Sequence, residues 1–261
     1  MFDLEALEAA LAGTIFSGNL HFEPVTGSTN TDAMAAARLG APHGSVYVTD
    51  EQTAGRGRGD HRWDSNAGQG LYVSVLLRLA LPTERLQLLP LAAGLASVDA
   101  IAHASGLRAD LRWPNDLMIG DRKTGGILVE SKIDGTKVVF AVVGIGINVH
   151  QRSFPEGLAT PATSLDVAAG RMINRQALLL ALLESLEREA HALTDKGANE
   201  EIPARMEMCS TWVRGRRVEV HGPQACVGVT AGLDENGFLI VRTANTLVTI
   251  RTGGLRDATV S

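Results

Sequence analysis

The architecture is set by residues 111–149, which read LRWPNDLMIGDRKTGGILVESKIDGTKVVFAVVGIGINV. Apolar runs alternate with polar corners here, which predicts strand, corner, strand, turn and strand in succession. The segment Ile133-Asp134-Gly135-Thr136 has the composition of a tight hairpin turn. The long β run that follows contains Gly144 and Gly146, and glycines inside a strand mark a bulge or a close approach to a ligand or another backbone.

A second organising stretch, residues 52–63, reads QTAGRGRGDHRW and lies between the apolar runs 46–48 and 71–79. Alternating glycine lets a backbone approach a ligand closely. The interleaved Arg56 and Arg58 carry planar, permanently charged forks that suit carboxylate and phosphate. Disordered nucleic-acid-binding tails also contain Gly-Arg repeats, but this stretch is short and internal. The pattern therefore favours a loop that folds over an anion.

Helical periodicity accounts for most of the remaining residues before position 210. Ser28-Thr29-Asn30-Thr31-Asp32 has the composition of a helix start. Its hydroxyls either cap that helix or hydrogen-bond a polar ligand, and both roles stay open at this point. Gly106 is the expected stop of a long apolar helix that packs on a sheet. The predicted helices span residues 3–11, 28–39, 82–105, 174–193 and 200–208.

From Arg216 onward the residue pattern changes to short β-type runs, which are separated by turn signals at 222–223 and 234–237. This pattern predicts a small β-barrel of about 45 residues. We place the boundary near Cys209–Gly215, which gives a first domain at 1–210 and a second at 211–261.

Bulk composition excludes several protein classes. The chain has 261 residues, a net charge of −5 and a pI near 5.8, which argues against a general nucleic-acid or membrane-surface binder. The two cysteines have no metal-type spacing and suggest no disulfide framework, so a reducing cytoplasm is expected. The sequence contains no run of about 18 apolar residues, so we predict no membrane-spanning segment. No metal-binding, phosphate-loop or nucleophile-elbow motif occurs either.

The motifs gain specificity from their order. They are the loop at 52–63, Trp-Pro-Asn-Asp at 113–116, Lys-Thr-Gly-Gly-Ile-Leu-Val-Glu at 123–130 and Gly-Ile-Gly-Ile-Asn at 144–148. Together they resemble the biotin–protein ligases, from about residue 23 to the end. The resemblance implies an α+β fold, with a mixed, mostly antiparallel sheet packed with helices as in class II aminoacyl-tRNA synthetases. It also implies a small C-terminal SH3-like β-barrel.

The resemblance implies a two-step reaction. The carboxylate of biotin attacks the α-phosphate of ATP, which enters with Mg²⁺, to give biotinyl-5′-AMP and pyrophosphate. A lysine of a biotin carboxyl carrier protein, such as that of acetyl-CoA carboxylase, then takes the biotinyl group. About 20 residues precede the resemblance, fewer than a helix-turn-helix domain needs. We therefore expect no nucleic-acid partner and no repressor role. The net charge predicts no membrane partner either, and the protein is expected to be a monomer or a homodimer.

Residue roles follow from the motif matches. Lys123, Arg56 and Arg58 are the implied catalytic cations, since fixed cationic donors help bring two anions together. Lys123 is expected to act electrostatically and not as a Schiff-base nucleophile. The implied biotin-binding residues are Ser28, Thr29, Asn30, Gln52, Gly55, Arg56, Lys123, Gly125 and Gly126. The implied ATP- and AMP-binding residues are Arg56, Arg58, Trp63, Asn115, Asp116, Lys123 and Asn148.

Some roles stay open. Asn115 and Asp116 either contact ribose, phosphate and metal or form a hydrogen-bonded turn, and Trp63 either anchors a lid or simply packs. The chain also departs from the family pattern, because His61 stands where the family loop often ends in an arginine and Asp60 adds a negative charge before it.

A second departure concerns the loop at 154–162, which lacks the tryptophan that some relatives stack on adenine. Phe154 is the aromatic candidate there. Two rival functions remain at this point. A lipoate–protein ligase shares a similar core and lysine but differs in the loop and Trp-Pro-Asn-Asp motifs. A non-catalytic biotin sensor would not need the intact Lys123.

Overall fold

A computed structural model of the chain describes residues 2–59 and 61–258. Its helices are α1 (Leu4–Ala10), α2 (Thr29–Arg38), α3 (Leu89–Ser105), α4 (Leu165–Ala169), α5 (Arg175–Thr194) and α6 (Ala198–Cys209). Its first strands are β1 (Leu20–Thr26), β2 (Val46–Gln52), β3 (Gly70–Leu77), β4 (Asp110–Arg112), β5 (Asp116–Ile119), β6 (Arg122–Asp134) and β7 (Lys137–Asn148). The remaining strands are β8 (Arg214–His221), β9 (Cys226–Leu233), β10 (Leu239–Arg242), β11 (Leu247–Ile250) and β12 (Gly254–Asp257).

The larger sheet has seven strands in the order β1-β2-β3-β7-β6-β5-β4. Only β1 and β2 pair in parallel, and all other neighbours are antiparallel. The turn between β6 and β7 contains Gly135 with a left-handed φ of 58°, which confirms the hairpin predicted there. The expected mixed, mostly antiparallel α+β sheet is therefore confirmed.

The two faces of this sheet differ in chemistry. Side chains alternate between the faces of a strand. In β7 the odd-numbered residues from Val143 to Ile147 enter the main core, so Gly144, Gly146 and Asn148 lie on the opposite face. That face carries the cavity described below.

One face is covered by α3, which packs on the sheet and against α5. A 3-10 turn at Thr83–Leu88 leads into α3, and Gly106 ends it in the left-handed region, as predicted. By length and composition alone, Thr83–Ser105 is apolar enough to cross a membrane. However, 67% of its most apolar window is buried inside the protein, as the predicted packing on a sheet requires.

The smaller sheet is five-stranded and antiparallel, in the order β11-β10-β9-β8-β12, which confirms the SH3-like prediction. Strand β12 and helix α4 were not foreseen. The core of this sheet is continuous with the main core. Trp113, 3% exposed as expected of a core residue, donates from Nε1 to the carbonyl oxygen of Gly237 at 3.0 Å. The domain boundary at 210 stays a prediction.

Candidate active site

A cavity of about 880 Å³ opens between the arginine–glycine loop (residues 52–63), the second face of β3 and β7, the loop at 154–162 and the turn at 252–254. It gathers residues far apart in the sequence, because strand order brings β3, β7 and β6 side by side. All but two of the sequence-predicted site residues line it: Ser28, Thr29, Asn30, Gln52, Arg56, Arg58, Trp63, Asn115, Asp116, Lys123, Gly126 and Asn148. Their roles toward a ligand stay predictions.

Hydroxyl and amide groups gather where α2 begins. Ser28 is the N-cap residue of α2, yet its side chain makes no capping hydrogen bond, so the structure does not show the first of the two roles left open for this hydroxyl. The neighbouring main-chain N–H of Thr29 donates to Gln52 Oε1 at 2.9 Å, and Gln52 Nε2 donates to Ser65 Oγ at 2.8 Å. These uncharged groups can donate to or accept from a polar ligand ring.

Asn30 is built into the wall beside them. Its Nδ2 donates to Glu130 Oε2 at 2.9 Å and to the carbonyl oxygen of Leu128 at 3.3 Å. A Cβ at Gly144 would overlap Asn30 Oδ1, so glycine at 144 is what allows the amide to lie against β7. Both amide hydrogens of Asn30 are thus used within the protein.

Cations gather at the start of β6. Lys123 Nζ lies 2.5 Å from Asp116 Oδ1, and Arg112 donates to Asp116 Oδ2 at 2.6 Å. Burial raises the pKa of Asp116, but the charges of Lys123 and Arg112 outweigh it and hold that pKa below its ordinary value. Arg112 also donates to Thr160 Oγ1 at 2.9 Å. An ionised Asp116 therefore fixes both cations at the cavity wall.

The two loop arginines already have partners within the protein. Arg56 makes a forked pair with Glu130, at 3.1 and 2.6 Å. Arg58 donates to the carbonyl oxygen of Gly253 at 2.9 Å and to Asn115 Oδ1 at 3.4 Å. Burial lowers the pKa of Arg58, although nearby Asp116 partly opposes that shift. An incoming anion would compete with Glu130 for Arg56.

Trp63 covers a glycine floor. Gly126 and Gly146 are cross-strand partners on β6 and β7. A Cβ at Gly146 would lie 2.5 Å from Trp63 Nε1, and Lys123 Nζ lies 5.6 Å from the indole ring centroid. The indole Nε1 is buried with no hydrogen-bond partner. Trp63 therefore packs on the floor, and its role as a lid anchor stays a prediction.

Gly55 and Gly125 are the two predicted residues that do not line the cavity. A Cβ at Gly55 would overlap the carbonyl oxygen of Trp63, and one at Gly125 would lie 2.8 Å from the carbonyl oxygen of Gly146. Close packing of neighbouring backbone thus explains glycine at both positions.

The sequence matches the biotin/lipoate A/B protein ligase family over residues 22–148. It is 34% identical to the biotin–[acetyl-CoA-carboxylase] ligase of Mycobacterium tuberculosis over 234 residues, which make up 87% of this chain and 85% of that protein. The chain belongs to the biotin protein ligase family. The Aquifex aeolicus biotin protein ligase in complex with biotin and ATP superposes with a TM-score of 0.78 and 31% identity, covering 92% of this chain and 100% of that one.

Longer relatives are matched only in part. The bifunctional ligase/repressor BirA of Bacillus subtilis is 39% identical over 176 residues, which make up 67% of this chain and 54% of that protein. The chain thus spans about half the length of the Bacillus relatives.

Two asparagines of the family motifs donate side-chain hydrogen bonds to main-chain carbonyl oxygens of neighbouring segments. Asn115 Nδ2 donates to the carbonyl oxygen of Ile127 at 2.7 Å, and Asn148 Nδ2 donates to that of Thr163 at 3.1 Å. The hydrogen-bonded turn considered for Asn115 is therefore present. It leaves a ligand contact of Asn115 open, because this residue also lines the cavity.

Two of the three residues at which the chain departs from the family pattern line the cavity. These two residues are Phe154 and His61. Their aromatic ring and imidazole are therefore available to contact a ligand in the cavity. Asp60 lies outside the described residues.

Sequence reasoning missed several residues that line this cavity. Arg112 is 7% exposed and lines the cavity, and its one signal was a charge between Leu111 and Trp113 in an apolar strand. The five-stranded sheet contributes His221 and the turn at 252–254, for which no local signal exists. Among residues 2–59 and 61–258, no group of three or more His, Cys, Asp or Glu side chains could hold a metal ion.

Proposed function

We propose that the protein is an AMP-forming biotin–protein ligase. One observation carries the proposal: a single cavity has uncharged hydrogen-bonding groups at the start of α2 and the cations Lys123, Arg112 and Arg58 along its other walls. Biotin has matching ends, with an uncharged cyclic urea at one end and a carboxylate at the other. The remaining cavity volume can take a nucleotide, whose phosphates suit the same cations.

The first step joins two anions. The carboxylate oxygen of biotin attacks the α-phosphorus of ATP, the bond to the β,γ-phosphates breaks, and pyrophosphate leaves. Lys123 and the loop arginines neutralise charge on the carboxylate and the α-phosphate, and cations held in place before the reaction need not reorganise during it. Mg²⁺ enters as the Mg–ATP substrate.

The second step is transfer to protein. The amine of a carrier lysine attacks the carbonyl carbon of biotinyl-5′-AMP, an amide forms and AMP leaves. The arginine–glycine loop and Trp63 cover the cavity floor, which keeps water from the mixed anhydride. The partner proposed is the biotin carboxyl carrier protein of acetyl-CoA carboxylase, the enzyme named for the Mycobacterium tuberculosis relative.

Pyrophosphate–ATP exchange with biotin, with lipoate or with no acid added tests the proposal. Exchange that requires biotin supports it, and mass spectrometry of a carrier domain then tests transfer to a lysine. Exchange with lipoate alone would assign the other acid. Tight biotin binding without exchange would mean that the protein is a sensor.

A further inference from the structure

The segment between α6 and β8 is hydrogen-bonded to strand β4. Ser210 Oγ donates to the carbonyl oxygen of Leu111. The main-chain N–H of Thr211 donates to Asp110 Oδ1 at 3.0 Å. The link between the two sheets is therefore fixed against the strand whose last residue is Arg112.

The next residue, Trp212, places its indole against Arg112. Trp212 is 2% exposed, and the Cζ of Arg112 lies 5.2 Å from the centroid of the indole ring. A cation within about 6 Å of an aromatic ring centroid is attracted to the ring face, and tryptophan attracts it most strongly. Within residues 2–59 and 61–258, the indole Nε1 is buried with no hydrogen-bond partner. The contact with Arg112 therefore uses the face of the ring and not its N–H.

A second arginine holds the same indole from the smaller sheet. The Cζ of Arg216 lies 3.5 Å from the ring centroid, and its guanidinium makes a forked pair with Asp257, at 2.6 and 2.7 Å. The hydrogen bonds from Arg216 hold the pKa of Asp257 below its ordinary value, so this carboxylate is ionised at neutral pH. Asp116 is the matching carboxylate of Arg112. Both guanidinium groups can rest on one indole because each has its own counter-charge.

Arg112 uses only three of its donors within the protein. Its Nε and Nη2 donate to Asp116 Oδ2 at 3.1 and 2.6 Å, and Nη2 also donates to Thr160 Oγ1 at 2.9 Å. A guanidinium has five N–H donors, so the two on Nη1 are left over in the described part of the chain. Arg112 lines the cavity, where a nucleotide phosphate can accept from both of them.

We propose that Trp212 is a positioning residue that holds Arg112 with its two remaining donors toward the nucleotide phosphates. This inference rests on the proposed function, in which the cavity takes ATP. Asp116 and Thr160 fix one edge of the guanidinium, and the indole fixes its plane. Neither Trp212 nor Arg216 lines the cavity, so the smaller sheet acts on the nucleotide through Arg112.

Pyrophosphate–ATP exchange on the full chain tests this through the KM values for ATP and for biotin. Trp212→Leu removes the ring and should raise the KM for ATP about 5- to 30-fold, while the KM for biotin changes less than about twofold. Trp212→Phe keeps a ring face, so its KM for ATP should stay within about threefold of that of the unaltered chain.

The control is Phe16→Leu. Phe16 is a fully buried aromatic residue of the main core and does not line the cavity. This variant should lower the midpoint of thermal unfolding and leave both KM values unchanged, because a lost core contact does not move Arg112.

A double-mutant cycle separates positioning from packing. Arg112→Met should raise the KM for ATP about 10- to 100-fold. Adding Trp212→Leu to it should have no further effect, because Trp212 acts through Arg112. Effects that multiply in the double variant would overturn the positioning role, as would equal KM values for ATP in Trp212→Leu and Trp212→Phe.

Two further variants replace any that do not fold, as judged by thermal unfolding. Arg216→Met loosens the indole and should raise the KM for ATP about threefold or more; an unchanged value counts against the proposal. Arg112→Lys keeps a charge for Asp116 but lacks the second donor group, and it enters the same cycle. An unaltered chain without biotin-dependent exchange would overturn the proposed function, and the positioning role with it. Normal exchange with a normal KM for ATP in Trp212→Leu would overturn the positioning role alone.

Discussion

The guanidinium of Arg58 donates a 2.9 Å hydrogen bond to the main-chain carbonyl oxygen of Gly253. The arginine–glycine loop and the five-stranded sheet therefore meet at the wall of the cavity, although the two residues are 195 positions apart. The loop that the sequence predicts to fold over an anion is thus bonded to the turn that precedes β12.

Arg58→Met should reduce biotin-dependent pyrophosphate exchange about 10- to 100-fold, because one charge-assisted donor contributes about 1.5–3 kcal/mol. The midpoint of thermal unfolding should also fall, because the loop loses its bond to Gly253. Arg38→Met, at an exposed position at the end of α2, is the matched control. Equal exchange in the two variants would contradict a role for Arg58 in binding the nucleotide.

Lys123→Met should lower the single-turnover rate of biotinyl-5′-AMP formation about 100- to 1000-fold, the usual effect of removing one preorganised donor at a developing charge. Lys132→Met is the control, since Lys132 is exposed on the same strand β6. A Lys123→Met protein that forms the adenylate at the normal rate would remove Lys123 from the mechanism.

The Asp116 carboxylate predicts a pH dependence of stability. Because the folded pKa of Asp116 lies below the ordinary value of an aspartate, the stability that this carboxylate contributes is complete above that ordinary value and is lost as the pH falls through the folded pKa. Asp116→Asn should lower the free energy of unfolding by about 3 kcal/mol at pH 7, since it leaves the buried Arg112 and the half-buried Lys123 without their carboxylate. Urea unfolding of both proteins from pH 7 down to about pH 3 checks this. If the difference in free energy of unfolding between the two proteins does not shrink as the pH falls, the ionised Asp116 is not what stabilises the folded protein.

Gly144→Ala should weaken biotin binding by about tenfold or more, because the added Cβ would overlap Asn30 Oδ1 and displace the amide from the cavity wall. Gly197→Ala is the control, since a Cβ there has no heavy atom within 4 Å. Calorimetric titration with biotin gives the affinities, and thermal unfolding shows whether the fold survives. Normal biotin affinity in Gly144→Ala would show that binding does not depend on the position of the Asn30 amide at the cavity wall.

Much of the secondary structure could be predicted from the sequence. The turn at Gly135, the stop of α3 at Gly106 and the cap of α5 at Asn174 lie where they were expected. Such signals are local, because turn chemistry, capping and hydrophobic periodicity act within a few residues. The motif order also pointed to the family and to twelve of the residues that line the cavity.

The sequence by itself therefore determined most of the helices and strands and twelve of the residues that line the cavity. Only the tertiary structure decided how they combine. Strand order places Gly144 of β7 directly against Asn30 of α2, and a bond across 195 positions joins Arg58 to Gly253. The physical reason is that pairing between distant residues depends on which strands lie side by side, and no local preference encodes that order.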